Sequence, residues 1–290
     1  MRAGRNQDHF AGRLLFSDMY HVFTEAQQEI LAKIASSNCE PIYLSPHKSG
    51  DGHSAATANA TITYIRYGGS LYGITCAHVI SSQHDTDEKF ARVLTVRGES
   101  TIHQFGAETS GGYKSQFKCL ASSGSSSCGI DIAITKLPSS FMESHLQQKG
   151  KVPVDFDNWE EPLWKDIKTL WACGFPTEHK SQTITRVLAN PSQIVAELSG
   201  ALDVSRTDFL IASSMSENDC FLSGISGGPV YSVQSNMTLA LLGIVFEGSP
   251  GGSAEWLDRG VDAFSSMNDV LLKAYLLTPS VLERWINEAG

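Results

Sequence analysis

Ten residues, Phe221-Leu222-Ser223-Gly224-Ile225-Ser226-Gly227-Gly228-Pro229-Val230, limit the folds open to this chain more than any other stretch. Glycines at 224, 227 and 228 with a proline at 229 describe a backbone that turns sharply around one serine and then stops turning. Beyond it, Val230-Tyr231-Ser232-Val233 has the composition of a strand. A serine held outward on such a turn is how a nucleophilic hydroxyl is presented. With no Cβ at 224, the N–H groups of Gly224 and Ser226 are free to face an oxyanion beside that hydroxyl. The plainer reading is a glycine-rich hairpin turn that leads into the strand.

Residues 224–228 also satisfy the G-x-S-x-G pattern of the α/β-hydrolase nucleophile elbow, which needs a helix after the serine and a histidine later in the chain. Here the last histidine is His179, before Ser226, and a strand follows the turn. A nucleophile at 226 must therefore draw its partners from upstream, in the order His, Asp, Ser. His78 ends the β-rich run Leu71-Tyr72-Gly73-Ile74-Thr75-Cys76-Ala77-His78-Val79-Ile80. Asp131 sits in Gly129-Ile130-Asp131-Ile132-Ala133-Ile134. A lone carboxylate in an apolar strand costs several kcal/mol to bury unless it is hydrogen-bonded, and an imidazole N–H is a natural donor. Taken singly, His78 reads as a satisfied core histidine and Asp131 as a strand-entry residue; the three motifs in this order carry the case.

Thr75-Cys76-Ala77-His78 resembles the T-A-A-H strand end of chymotrypsin-like (trypsin-like, PA-clan) serine proteases, with Cys76 where alanine is usual. Asp131-Ile132-Ala133 resembles that family's D-I-A, and Gly243-Ile244-Val245-Phe246-Glu247-Gly248 is similar to its G-I-V-S-W-G. Cys173-Gly174-Phe175-Pro176 resembles the turn that opens the second barrel of bacterial trypsin-like peptidases, so the closest style is the HtrA or trypsin-like domain without a PDZ domain. The resemblance covers residues 51–290 in organisation and implies an all-β fold of two six-stranded antiparallel β-barrels. It implies a serine endopeptidase with Ser226 as nucleophile, His78 as base and Asp131 as its orienting acid. The oxyanion hole would be the N–H groups of Gly224 and Ser226. Candidate substrate-binding residues are Cys220, Ser223, Phe246, Glu247 and Gly248, with an extended peptide along residues 243–248. No metal or organic cofactor enters that chemistry, and the partner is a protein or peptide substrate.

Three residues depart from the pattern. Ile225 replaces the aspartate that pairs with a newly cut N-terminus. Phe246 replaces a serine that supports the triad aspartate, and Cys220 replaces the acid that selects Lys or Arg. The alternatives on the same fold are a silent peptide-binding pseudoprotease and an esterase. A subtilisin-like order would use Asp51-Gly52-His53, which lacks the D-T-G context of that family.

The remaining features set bounds. A formal net charge of −9 over 290 residues, with no basic stretch, argues against nucleic acid as a partner. No apolar run has membrane-spanning length, and the polar opening lacks the apolar core of a secretory signal, so the expected setting is cytoplasmic. Neither C-x-x-C nor H-E-x-x-H spacing occurs, which gives no sign of zinc. Of the six cysteines, 76, 173 and 220 read as buried hydrophobes, and 119 and 128 as close enough to approach. Thr24-Glu25-Ala26-Gln27 has capping-box spacing before a helix to about Ser37, whose apolar face reads as Ile30, Leu31 and Ile34. Pro41 to Ala60 reads as a loop. The expected divisions are 1–50, a helical extension that is a brace or a docking segment for a regulatory protein; 51–150, the first barrel and the start of a linker; and 151–290, the second barrel. A C-terminal helix starts at Thr278-Pro279, with Val281/Trp285 and Leu282/Ile286 paired one turn apart.

Overall fold

A computed structural model describes residues 23–45, 59–81, 90–94, 101–105, 115–120, 130–167, 169–182, 187–198, 202, 207–214, 223–234, 236–250 and 269–290. Helix α1 (Glu25–Ser37) begins at the expected capping box: Thr24 Oγ1 accepts from Gln27 N at 3.3 Å, and Thr24 N donates to Gln27 Oε1 at 2.8 Å. Its buried face differs from the sequence reading. Leu31 and Ala35 are fully buried, whereas Ile30 is 55% and Ile34 38% exposed. The small Ala35 lets the helix approach β1 (Cys39–Ser45) and β9 (Thr169–Gly174), and that close approach turns the two isoleucines outward.

β1 is itself a correction, because residues 39–45 belong to the first sheet rather than to an extension and loop. Pro41 disguised it. β4 (Phe90–Leu94) pairs with β1 only from Tyr43 onward, so at Pro41 that side of the strand has no ladder bond to lose. The first sheet has the order β5-β4-β1-β2-β3-β7-β6, with β2 at Asn59–Tyr67, β3 at Ser70–Thr75, β5 at Thr101–Gln104, β6 at Lys118–Cys119 and β7 at Ala133–Leu137. β5 and β6 are consecutive in the chain yet stand at opposite ends of this path. Phe105 and Phe117, beside them, touch with ring centroids 4.7 Å apart, so the sheet curls until its ends meet. The stretch read as a linker contributes a helical segment over 139–149. It also supplies β8 (Val154–Asp155), which pairs in parallel with β2 just past the end of β1.

The second unit is a closed six-stranded barrel, β12-β13-β16-β15-β14-β9. Its strands besides β9 are β12 (Ser192–Leu198), β13 (Asp208–Ser214), β14 (Pro229–Val233), β15 (Leu239–Pro250) and β16 (Asp269–Leu276). Strands β10 (Lys180–Gln182) and β11 (Val187–Ala189) pair with each other outside the barrel, in which β16 takes the sixth place. The C-terminal helix (Pro279–Ala289) starts as expected, with Val281 N donating to Thr278 Oγ1 at 3.3 Å. An all-β protein of two antiparallel units with a helix at each end is thus what the chain forms. Among the described residues no helix is long and apolar enough to cross a membrane.

One apolar cluster joins the pieces. It takes Leu31 and Ala35 from α1, Ile65, Ile74 and Ile132 from the first sheet and its flank, Trp171 and Tyr231 from the barrel, and Leu282 and Trp285 from the C-terminal helix. Within it the buried free thiols of Cys39 and Cys173 lie 3.7 Å apart across the two units. A second buried feature is polar. Glu40 on β1 accepts from the Tyr64 hydroxyl, contacts His145 Nε2 at 2.6 Å and accepts from Lys149 Nζ at 2.5 Å. Burial pushes its pKa up, but the Lys149 charge and the His145 contact outweigh that and hold the carboxyl at about 2. The cluster ties the 139–149 segment to the first sheet.

Candidate active site at the junction of the two units

Two threonines of the first sheet hold the glycine-rich turn of the second unit. Thr61 Oγ1 donates to Gly224 O at 2.8 Å and accepts from Phe175 N at 3.0 Å, while Thr61 N donates to Ser226 O at 3.0 Å. Thr63 Oγ1 donates to Gly227 O at 2.7 Å. Both threonines are fully buried. The glycines are required there: Gly224 and Gly227 have φ of 102° and 90°, and a Cβ on Gly227 would lie 2.1 Å from Thr61 O. Asn59 Nδ2 donates to Phe175 O at 2.6 Å and Thr177 N to Ser223 O at 2.7 Å, which steadies the other side of the turn.

Gly228 N closes the turn on Ile225 O at 2.8 Å. Among the described residues, no acceptor takes the N–H of Gly224 or of Ser226. Ser226 is half-buried. The turn therefore carries a half-buried serine between backbone N–H groups that, among the described residues, meet no acceptor.

β3 ends at Thr75, and His78 stands on the short helix α2 (Ala77–Ser81) rather than on the strand end. His78 Nδ1 lies 2.5 Å from Asp131 Oδ2, and its backbone N donates to Asp131 Oδ1 at 2.7 Å. Both carboxylate oxygens are thus spent on one residue. With the carboxylate as acceptor the proton resides on Nδ1, which leaves Nε2 as the basic nitrogen. The histidine side chain is 53% exposed and the aspartate 27%, so the pair is open to solvent on the imidazole side.

Val245 O ties the pair to the turn, because it accepts from Gly227 N at 2.8 Å and from Cys76 Sγ at 3.2 Å. Ser226 and His78, one residue before Gly227 and two after Cys76, are held on the two sides of this junction. Cys76 is fully buried, and burial, then the charge of Asp131, push its thiol pKa well up.

Tyr275 on β16 was not singled out from the sequence, and neither were Asn59, Thr61 and Thr63. Tyr275 Oη accepts from Asp131 N at 2.9 Å. Its ring stacks on Phe246 at 4.1 Å and 20°, and meets Trp285 of the C-terminal helix edge-on at 6.5 Å. The departure at Phe246 is thus matched by a second aromatic ring, whose hydroxyl supports the aspartate from the other unit. Asn59-Ala60-Thr61-Ile62-Thr63 did carry a signal: alternate polar residues on a strand, here facing a loop instead of water.

The candidate substrate-binding residues are spread along this face. Ser223 is exposed, and its carbonyl is taken by Thr177. Glu247 is paired with Lys273 at 2.6 Å, and Gly248 is exposed. Residues 243–245 are not an edge, since they bond to both neighbouring strands or to the turn. From Phe246 to Pro250 the strand pairs with β16 alone among the described residues. Cys220, His53 and Cys128 lie outside the described residues.

No family model and no curated protein sequence matches this chain. Among solved structures it is similar to the thermostable serine protease AL20 from an extremophilic microorganism. That likeness is at 11% sequence identity and a TM-score of 0.42, and covers 89% of this chain and 98% of that one.

Proposed function

We propose that the protein is a serine endopeptidase that cleaves peptide bonds through Ser226, His78 and Asp131. The observation that carries this reading is the two-point grip of Asp131 on His78, through Nδ1 at 2.5 Å and the backbone N at 2.7 Å, together with a turn whose Gly224 and Ser226 amides meet no acceptor among the described residues. In this reading Ser226 Oγ attacks the carbonyl carbon, and His78 Nε2 takes the hydroxyl proton and returns it to the leaving amine. Asp131 holds the imidazole in the tautomer that keeps Nε2 basic. Each oxyanion donor contributes about 3 to 4 kcal/mol to lowering the barrier. Residues 246–250, which among the described residues pair with β16 alone, suit an extended peptide that would add as a further strand. The closer likeness to HtrA-type domains rests on Cys173-Gly174-Phe175-Pro176 alone.

The test compares wild type with Ser226→Ala on casein and on a peptide library. Wild type should hydrolyse both, and Ser226→Ala should lose on the order of a million-fold in kcat while keeping its melting temperature. Hydrolysis of simple esters without peptides would redirect the reading to an esterase. Absence of any hydrolysis by folded wild type would leave only peptide binding.

A further inference from the structure

We propose that Cys76, His78 and Asp131 form a binding site for a zinc-class divalent cation, and that its occupancy switches the hydrolytic site off by parting the imidazole from the carboxylate. The inhibitory half rests on the catalytic reading of His78 and Asp131; cation binding does not. Cys76 Sγ, an imidazole nitrogen of His78 and a carboxylate oxygen of Asp131 all lie within 4.8 Å of one another. Thiolate, imidazole and carboxylate are the three side-chain donors that zinc accepts, and a sulfur among them selects zinc, cobalt or cadmium over magnesium and calcium. Sequence spacing gave no hint, because the motif patterns describe ligands that are neighbours in the chain. Here the donors converge from α2, the residues before it and the entry to β7.

Bond lengths of roughly 2.0–2.3 Å put tetrahedral donors about 3.2–3.7 Å apart, so the widest separation in the trio, within 4.8 Å, must close by about 1 Å, while His78 Nδ1 and Asp131 Oδ2, now 2.5 Å apart, must open. The site can supply that movement from one side. Cys76 is buried and exchanges its S–H bond to Val245 O for the metal, and Asp131 is anchored through its backbone to Tyr275. His78 is the exposed member and stands on a single helical turn. Binding forms one metal–sulfur, one metal–nitrogen and one metal–oxygen bond, with water in the fourth position. The thiol proton leaves to solvent, and if the metal takes Nδ1 the ring proton moves to Nε2, which removes the basic nitrogen the hydrolysis needs. No electron is transferred. The feature particular to this chain is the sulfur, which stands where the resembled motif has alanine.

The test uses the full chain, first stripped with a chelator. Titration with cobalt(II) should raise a thiolate-to-metal charge-transfer band in the near ultraviolet, and zinc(II) should displace it. Cys76→Ala should lose the band and bind cobalt at least roughly 10- to 100-fold more weakly, since even outer partners of metal ligands carry effects of that size. Zinc should lower the wild-type peptidase rate in step with occupancy, reversibly on adding chelator. At the same concentrations Cys76→Ala should keep the rate it shows in chelator. No charge-transfer band in wild type overturns the proposal, and so does a band or an inhibition that persists unchanged in Cys76→Ala with a wild-type melting temperature. A band that depends on Cys76 in a chain without hydrolytic activity would uphold the metal site and remove the peptidase reading instead.

Discussion

Asp131 has both carboxylate oxygens on His78 and its own N–H on Tyr275, so its position is set from the first sheet, the barrel and, through Trp285, the C-terminal helix. Tyr275→Phe keeps the ring stacked on Phe246 and removes only the acceptor. A net hydrogen bond of about 1 kcal/mol corresponds to several-fold in rate, so kcat should fall roughly 3- to 10-fold with KM unchanged. Steady-state kinetics and a melting curve check this, and an unaltered kcat would remove Tyr275 from the positioning set. The pairing of His78 with Asp131 was legible because each lies in a short motif whose meaning is local. Tyr275 was not legible, because its role depends on the register of β16 against β15, and no nearby residue announces it. Cys39 and Cys173 show the same limit: two thiols far apart in sequence meet only once β1 and β9 have packed.

The elements divide in the same way. The caps at Thr24 and Thr278 were readable because a cap and its acceptor are three residues apart. β1 was hidden by Pro41, and β16 by its Leu, Lys and Ala, which favour helix locally. In the fold, Leu272, Ala274 and Leu276 of β16 point alternately into the barrel core, and tertiary pairing overrides that preference. The face of α1 was misjudged because Ala35, a small residue, is what permits close packing. It follows that Leu31→Ala should cost about 2 to 5 kcal/mol, whereas Ile30→Gln should stay within about 0.5 kcal/mol. Denaturant titration of the two variants checks the assignment, and equal effects would contradict it. Because α1 packs on β9, β1 and β15, removing residues 1–37 should lower the melting temperature without raising the specific rate. A stable truncated protein with a faster rate would instead make the helix an inhibitory or partner-gated element.

At the scale of the whole molecule, the two units are joined by one apolar cluster and by buried polar contacts that specify how they meet. Glu40 makes part of this stability depend on pH. Its carboxyl is held at about 2 in the folded protein against an ordinary value of 4.5, so its contribution is full above about 4.5 and is lost as pH falls from there through 2. The linkage is on the order of 3 kcal/mol. Unfolding free energy should therefore drop between pH 5 and pH 3, and Glu40→Gln should be less stable at pH 6 with a flatter profile below it. An identical acid profile in that variant would contradict the assignment. The proposed function requires one hydroxyl to work with one imidazole, and the most direct measurement reads that hydroxyl. Wild-type protein is treated with a fluorophosphonate and the adduct is mapped by mass spectrometry, alongside His78→Ala. The account predicts a single adduct on Ser226 that is all but lost in His78→Ala. An adduct on another serine, or none on a folded wild-type chain, would contradict it.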